Sequence, residues 1–356
     1  MTADRLPRTP TVDTPVDTPA AAQPRTTRDP WFDNAKILLV VLVVVGHSWT
    51  GLRTTFFTSS LYDFLYLWHV PAFVMVTGYL SRSFTFSRRH LTKLVTTVVV
   101  PYLVFELVLT EFRVVVGGET SGLLFLSPHW PMWYLSVLFV WRLATPLLKR
   151  VPHPLALSVV VSLVGGAFTG DPLDVARAMG LLPFFVMGLL ATPEHLAAIR
   201  RPAARVCALG AFAVALVLSP VVQSLGTEWL YWRSSYAQLH ASLLGGMATR
   251  AVLLAAAAAL SVSFFALLSR RGGWFSRMGA ASLVVYLFHG FFIKLASYSA
   301  YPGWAREHAG LAMLISTVVA VAVALVLAAP PVAQRLNVFV DPFGTWSRSR
   351  QRRQEG

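Results

Sequence analysis

The chain has 356 residues, of which 55% are apolar and only 13% are Asp, Glu, Lys or Arg, about half the usual charged share of about 25%. With a mean hydropathy of +0.60, this composition excludes a water-soluble globule. Thirty Lys and Arg against sixteen Asp and Glu leave a formal charge of +14, but the cations sit in short clusters between apolar runs, which is the pattern of a membrane protein and not of a nucleic-acid binder.

Residues 1–30 are rich in Pro and Thr and lack apolar periodicity, so they are expected to form a disordered tail. No apolar core follows the first basic residues, as a cleaved signal peptide requires, and the run from Asn34 is expected to remain as an anchor. At roughly 20 residues per 30 Å of hydrocarbon, ten stretches qualify as spans: 34–52, 61–81, 91–115, 131–149, 155–170, 176–192, 203–222, 249–268, 280–297 and 310–329. The fifth, sixth and ninth are short, and Pro152, Pro172, Pro193, Pro202 and Pro330 mark span ends. The transmembrane domain is set at 31–334, followed by a basic tail over 335–356. No repeat of 20–50 residues is present. The single cysteine, Cys207, excludes an internal disulfide framework and a Cys-based metal cluster.

Assigning loops alternately to two sides, with the first tail inside, places 21 Lys and Arg inside and 6 outside; Lys36, Arg142 and Lys294 fall within spans. A missed or extra helix would scramble that asymmetry. The expected fold is therefore all-α: a multi-pass protein of the plasma membrane with about ten transmembrane helices and both termini cytoplasmic.

Polar groups at membrane depth are costly and tend to mark function. His47 lies about 16 Å along its helix beyond Lys36, His69 about 12 Å below the opposite surface, and His289 near the middle of the ninth span. These imidazoles serve either as polar contacts between helices or as general acid–base groups. A zinc site is disfavoured, because no H-x-x-x-H or Glu-bearing helix pattern accompanies them. Glu106 and Arg142 form either an ion pair between the third and fourth spans or the lining of a polar cavity. Lys36, Arg82, Arg88 and Arg89 gather at the cytoplasmic ends of the first three spans. They serve either topology and lipid contact or a phosphate site. Among Trp229, Tyr231, Trp232 and Tyr236 of the longest outer loop, stacking on a sugar ring competes with ordinary interfacial packing.

Five segments carry a resemblance. RDPWFDNAKILLVVLVVVGHS, LWHVPAFVMVTGYLSRSF, HWPMWYLSVLFVWRL, GLLPFFVMGLL and SLVVYLFHGFF are similar, in order, to motifs of the acyltransferase 3 family of membrane acyltransferases, particularly its fucose 4-O-acetylase-like branch. The resemblance implies transfer of an acyl group, commonly acetyl from acetyl-CoA, to a hydroxyl of a sugar, glycan or other envelope or secreted molecule, with no permanently bound cofactor and no metal. By position it makes His47 the catalytic histidine; chemistry at that depth then gives His69 or His289 the expected role of orienting that base or stabilising the developing oxyanion. Lys36, where many members carry Arg, and Arg82, Arg88 and Arg89 fall on the coenzyme side. Asp33, Glu106, Trp133, Tyr134 and Arg142 are expected to orient substrate. A secondary transporter or flippase using the same intramembrane His, Glu and Arg residues is the alternative. Release of free CoA separates the two readings.

Overall fold

The computed structural model describes residues 29–120, 122, 125–168 and 172–342. Most of the two expected tails, 1–28 and 343–356, lies outside the described residues. The described chain is helical throughout, without strands.

Helix α1 (Pro30–Ser48) starts where Asp29 caps it, accepting from the Trp31 N–H at 3.0 Å, with Pro30 at the first helical position. It ends four residues before the expected limit of 52 and passes into a short turn, Thr50–Leu52. Helix α2 (Phe56–Ser81) begins at a capping box formed by Thr55 and Thr58, five residues earlier than expected. His69 consequently lies about 20 Å along its helix, deeper than the 12 Å read from the sequence.

Helix α3 (Arg88–Leu94) runs through a π-helical turn (Val95–Val99) into α4 (Val100–Gly117). Pro101 has no N–H to continue the regular ladder, and the wider turn directly before it absorbs the mismatch. Next come α5 (Trp133–Leu148), α6 (Pro154–Gly165), α7 (Val175–Leu190), α8 (Pro193–Ile199), α9 (Pro202–Val217) and α10 (Ser219–Leu225). The chain closes with α11 (Leu243–Leu267), α12 (Trp274–Met278), α13 (Ser282–Ser297), α14 (Tyr301–Glu307), α15 (Ala309–Ala328) and α16 (Pro330–Val340).

Each expected span coincides with one of these helices or with a consecutive pair, but their lengths differ. Among the described residues six stretches are long and apolar enough to cross a membrane: α1, α2, α7 with the turn before it, α11, α12 with α13, and α15. A seventh is the pair α9 and α10, bent by 51°. Helix α4 carries Glu106, Glu111 and Arg113. Helices α5 and α6 have 16 and 12 residues, or about 24 and 18 Å of length, short of the hydrocarbon thickness.

Helix α1 is apolar on all sides and buried on most of them, which places it inside the bundle. It packs on α2, α12, α13 and α15, and α2 in turn packs on α7 and α11. The α2–α7 crossing is closest at two glycines. A Cβ on Gly78 would stand 1.9 Å from the Phe185 carbonyl oxygen, and one on Gly188 would stand 1.9 Å from that of Met75. Large apolar side chains on α9, α11 and α15, such as Val206, Val252 and Leu314, face outward, as lipid contact requires.

The two ends of the bundle are distinct. At the proximal end, where α1 begins, Asn34 donates to the carbonyls of Ser269 (2.9 Å) and Arg271 (3.1 Å). Arg200 pairs there with Asp29 at 3.0 Å, and Arg270 donates to the Arg200 carbonyl. Arg82 reaches the Ala191 carbonyl at 3.2 Å, and Lys149 reaches that of Arg82 at 3.0 Å. At the distal end Tyr62 meets Tyr231 at 3.0 Å, and Thr227 donates to Asp63 at 2.7 Å.

Candidate active site

His47 occupies the last turn of α1 and His289 the middle of α13. Their rings meet through Nδ1 of His47 and Nε2 of His289, 3.1 Å apart. The protons on this pair are assignable. His289 Nδ1 lies 2.5 Å from the Tyr286 carbonyl oxygen, which only accepts, so Nδ1 carries the proton and Nε2 the lone pair. His47 Nδ1 must then donate to His289, and the lone pair of His47 falls on Nε2. The Trp130 ring packs on His47, with centroids 4.3 Å apart. Tyr286 donates its hydroxyl to the carbonyl of Pro131, next to Trp130.

His69 is fully buried but joins neither ring. Its Nδ1 donates to the Leu65 carbonyl at 2.8 Å, and its Nε2 faces Gly46, where a Cβ would stand 3.5 Å away. The histidine expected to assist His47 directly thus packs against the residue before it.

Two distal cavities converge on His47 and Trp130. The larger, about 760 Å³, lies between the end of α1, the 127–130 segment and α13–α15. The smaller, about 220 Å³, is walled by Tyr66, Trp133, Tyr231 and Arg177. Of the outer-loop aromatics, Tyr231 and Trp232 line this cavity, while Trp229 and Tyr236 are packed in the core. The Arg177 guanidinium stacks over Trp133 at 4.3 Å. Arg177 itself is only 8% exposed.

Two further cavities open proximally. One of about 200 Å³ is lined by Lys36, Thr97, Tyr134, Arg142 and Tyr286. A basic groove of about 560 Å³ holds Arg88, Arg89 and Lys93. The four expected coenzyme residues are therefore divided. Lys36 faces the inner cavity and pairs with Asp33 at 2.6 Å. Arg88 and Arg89 share the groove, while Arg82 stacks on Tyr79 at 3.5 Å, apart from both. Asp33 sits at the proximal end against Gly279, far from the distal cavities. Tyr134 bonds with Thr77.

The expected alternative of a Glu106–Arg142 ion pair is overturned. Arg142 belongs to the proximal cavity, while Glu106, with no solvent exposure, holds His129. Both Glu106 carboxylate oxygens accept the His129 backbone N–H, at 3.0 and 3.1 Å, and Oε1 lies 2.5 Å from its Nδ1. A carboxylate in hydrocarbon is tolerable when its lone pairs are filled in this way. It fixes the segment that carries Trp130 onto His47. Neither His129 nor Trp130 was singled out from the sequence, although both stand in the quoted HWPMWYL segment. Glu106→Gln replaces one of the two oxygens that accept from His129 with an N–H donor, and an error of about 1 Å in such a contact can cost about 10²-fold. The expected result is turnover lowered by tenfold or more at unchanged protein yield, measured as product per mole of folded protein.

At the mouth of the larger cavity, Arg113 and Lys294 share Glu119. Burial raises the Glu119 carboxyl, but hydrogen bonds from Lys294 (2.6 Å), Tyr298 (2.5 Å) and Arg113 outweigh it and hold the group at about 2. It is therefore ionised at any working pH.

Helices of membrane-crossing length around a buried imidazole pair, which two distal cavities reach at His47, define an integral membrane protein with a candidate site in its interior. The acyltransferase 3 family model, described as an acyltransferase domain, matches residues 29–329. The chain belongs to this family and is a membrane acyltransferase. No curated protein and no solved structure matches it.

Proposed function

We propose that the protein transfers an acyl group, in the first instance acetyl, from acyl-CoA to a hydroxyl of a carbohydrate or other envelope or secreted acceptor, with His47 as general base. The observation that carries this reading is the chain from the Tyr286 carbonyl through His289 to His47. It leaves a lone pair on His47 Nε2 and a neighbouring nitrogen ready to receive the charge when that lone pair takes a proton. His47 also stands at the C-terminal end of α1, where the helix dipole favours a cation.

The acceptor hydroxyl gives its proton to His47 Nε2 and its oxygen attacks the thioester carbonyl. The C–S bond then breaks, and the thiolate recovers the proton from His47 as free CoA. The donor enters from the proximal side, which we take to be cytoplasmic. A coenzyme bearing several phosphates does not cross lipid, and Arg88, Arg89 and Lys93 in the groove and Lys36 and Arg142 in the inner cavity supply cations for it. The acceptor takes the distal cavities, where Trp133 and Tyr231 offer flat faces to a sugar ring, as the sugar-acetylating branch of the family would require. Ten passes with both termini cytoplasmic, in the plasma membrane, fit this scheme. The contacts among residues 29–34, 82, 149, 191, 200 and 269–271 gather loops of one parity at one end.

The test is release of free thiol from acetyl-CoA by membranes containing the protein, with and without a panel of sugars, alongside mass detection of the acetylated sugar. Acceptor-dependent release is the expected result; a gradient-driven sugar flux without release would overturn the reading. His289→Ala unties the tautomer of His47 and is expected to lower the rate on the order of 10²-fold. Wild-type turnover in that variant would reject the histidine chain.

A further inference from the structure

The larger distal cavity offers more than a neutral sugar uses. One flank is apolar, formed by Ile293 on α13 with Ile315, Val319 and Ala320 on α15. Ile315 is 39% and Val319 54% exposed, so within a membrane this wall borders lipid as well as the cavity. The hydrogen bond from Trp49 Nε1 to Thr317 Oγ1, 2.9 Å, sets this stretch of α15 level with the end of α1, and hence beside His47. The polar end holds Arg113 and Lys294. Two cations around the single carboxylate of Glu119 leave a net positive charge facing the cavity. Lys294 lies about 8 Å beyond His289 along α13, a distance that one sugar ring bridges.

A cation at one end, a hydrocarbon-like wall along the side and a base in the floor are together complementary to one kind of molecule. We propose that the acceptor is an anionic amphiphile, a glycosyl phosphate joined to a hydrocarbon chain. Its phosphate sits on Arg113 and Lys294, its chain enters from the lipid against Ile315 and Val319, and its reacting hydroxyl lies at His47. This deepens the acyltransferase reading and rests on it for the role of His47.

The test is direct binding to the purified full-length protein in lipid nanodiscs, with empty nanodiscs subtracted. The probes are decyl glucosyl phosphate, decyl glucoside and glucose 1-phosphate. Decyl glucosyl phosphate is expected to bind at least tenfold more tightly than either of the others. Lys294→Gln, in which Arg113 and Tyr298 still hold Glu119, should weaken both phosphate probes at least tenfold and leave decyl glucoside unchanged. Val319→Trp, at a half-exposed position that tolerates bulk, should weaken the two decyl probes and spare glucose 1-phosphate. No binding of decyl glucosyl phosphate, affinities within threefold for all three probes, or an unchanged Lys294→Gln profile would overturn the proposal. A need for phosphate without any gain from the chain would also overturn it, in favour of a soluble acidic sugar. Since binding is read without turnover, a protein that binds as expected but releases no CoA would reject the acyl-transfer chemistry and not the amphiphile.

Discussion

His47→Ala should lower acceptor-dependent thiol release by about 10²- to 10⁴-fold, the range that a positioned general base supplies, while membrane abundance stays at the wild-type level. The side chain is at the end of α1, and the helix is held by the apolar residues that precede it, so its truncation removes little packing. Its hydrogen-bonding partner His289 keeps its own bond to the Tyr286 carbonyl. Coenzyme affinity should also survive, because Lys36 and the Arg88–Arg89 groove lie at the other end of the bundle. The expected signature is a fall in kcat with little change in KM for acyl-CoA. His47→Gln sharpens the test: its amide can still donate to His289 but has no basic nitrogen, and it should be as inactive as Ala. More than a tenth of wild-type activity in either variant would show that the proton goes elsewhere.

Gly188→Ala, and equally Gly78→Ala, should cost the protein its stable fold. At each position the new methyl would meet a backbone carbonyl of the facing helix at 1.9 Å, and a backbone cannot rotate aside as a side chain can. Overpacking of this kind typically costs 1–3 kcal/mol, and here α2 and α7 must also separate along their crossing. Those helices carry Tyr66 and Arg177 of the small distal cavity, so both stability and the site should fail together. Fluorescence-detected size exclusion of detergent-solubilised protein reads the outcome as a loss of the monodisperse peak. Gly210→Ala on α9 is the internal comparison. A Cβ there meets nothing within 4 Å, and replacing a mid-helix glycine is worth roughly 0.5–1 kcal/mol in the opposite direction. Equal behaviour of the three variants would mean that the α2–α7 contact is not as close as described.

The helices were legible in the sequence because lipid and a buried bundle both demand continuous apolar surface. For α1, α2, α11 and α15 composition alone is enough. Their ends were less legible. The apolar pattern runs on past Ser48 to Leu52, but the chain leaves the helix at Trp49, and only Asp29 with Pro30 shows from the sequence where α1 begins. Helices α5 and α6 proved too short to satisfy a length criterion that treats every span alike. His47 and His289 were found by depth, which is a one-dimensional property. Depth does not reveal which residues face each other, so His69 seemed an equal third and Arg142 a partner for Glu106. The actual partner of Glu106 is His129, a loop residue 23 positions later, whose loop location kept it out of any list of intramembrane charges. The Asp33–Lys36 pair, by contrast, follows from simple helical spacing.

Helix α1 stops one residue after His47, and that early stop leaves room for the distal vestibules, while the proximal one reaches Tyr286, about one turn before His289 on α13. On the proposed assignment, the groups that handle the donor (Lys36, Thr97, Arg142) and those that handle the acceptor (Arg113, Arg177, Lys294) share no member. Mutation on one side therefore leaves the other chemically intact. Such a partition lets a lineage exchange one substrate for another through changes around a distal vestibule, without relearning how to use its coenzyme.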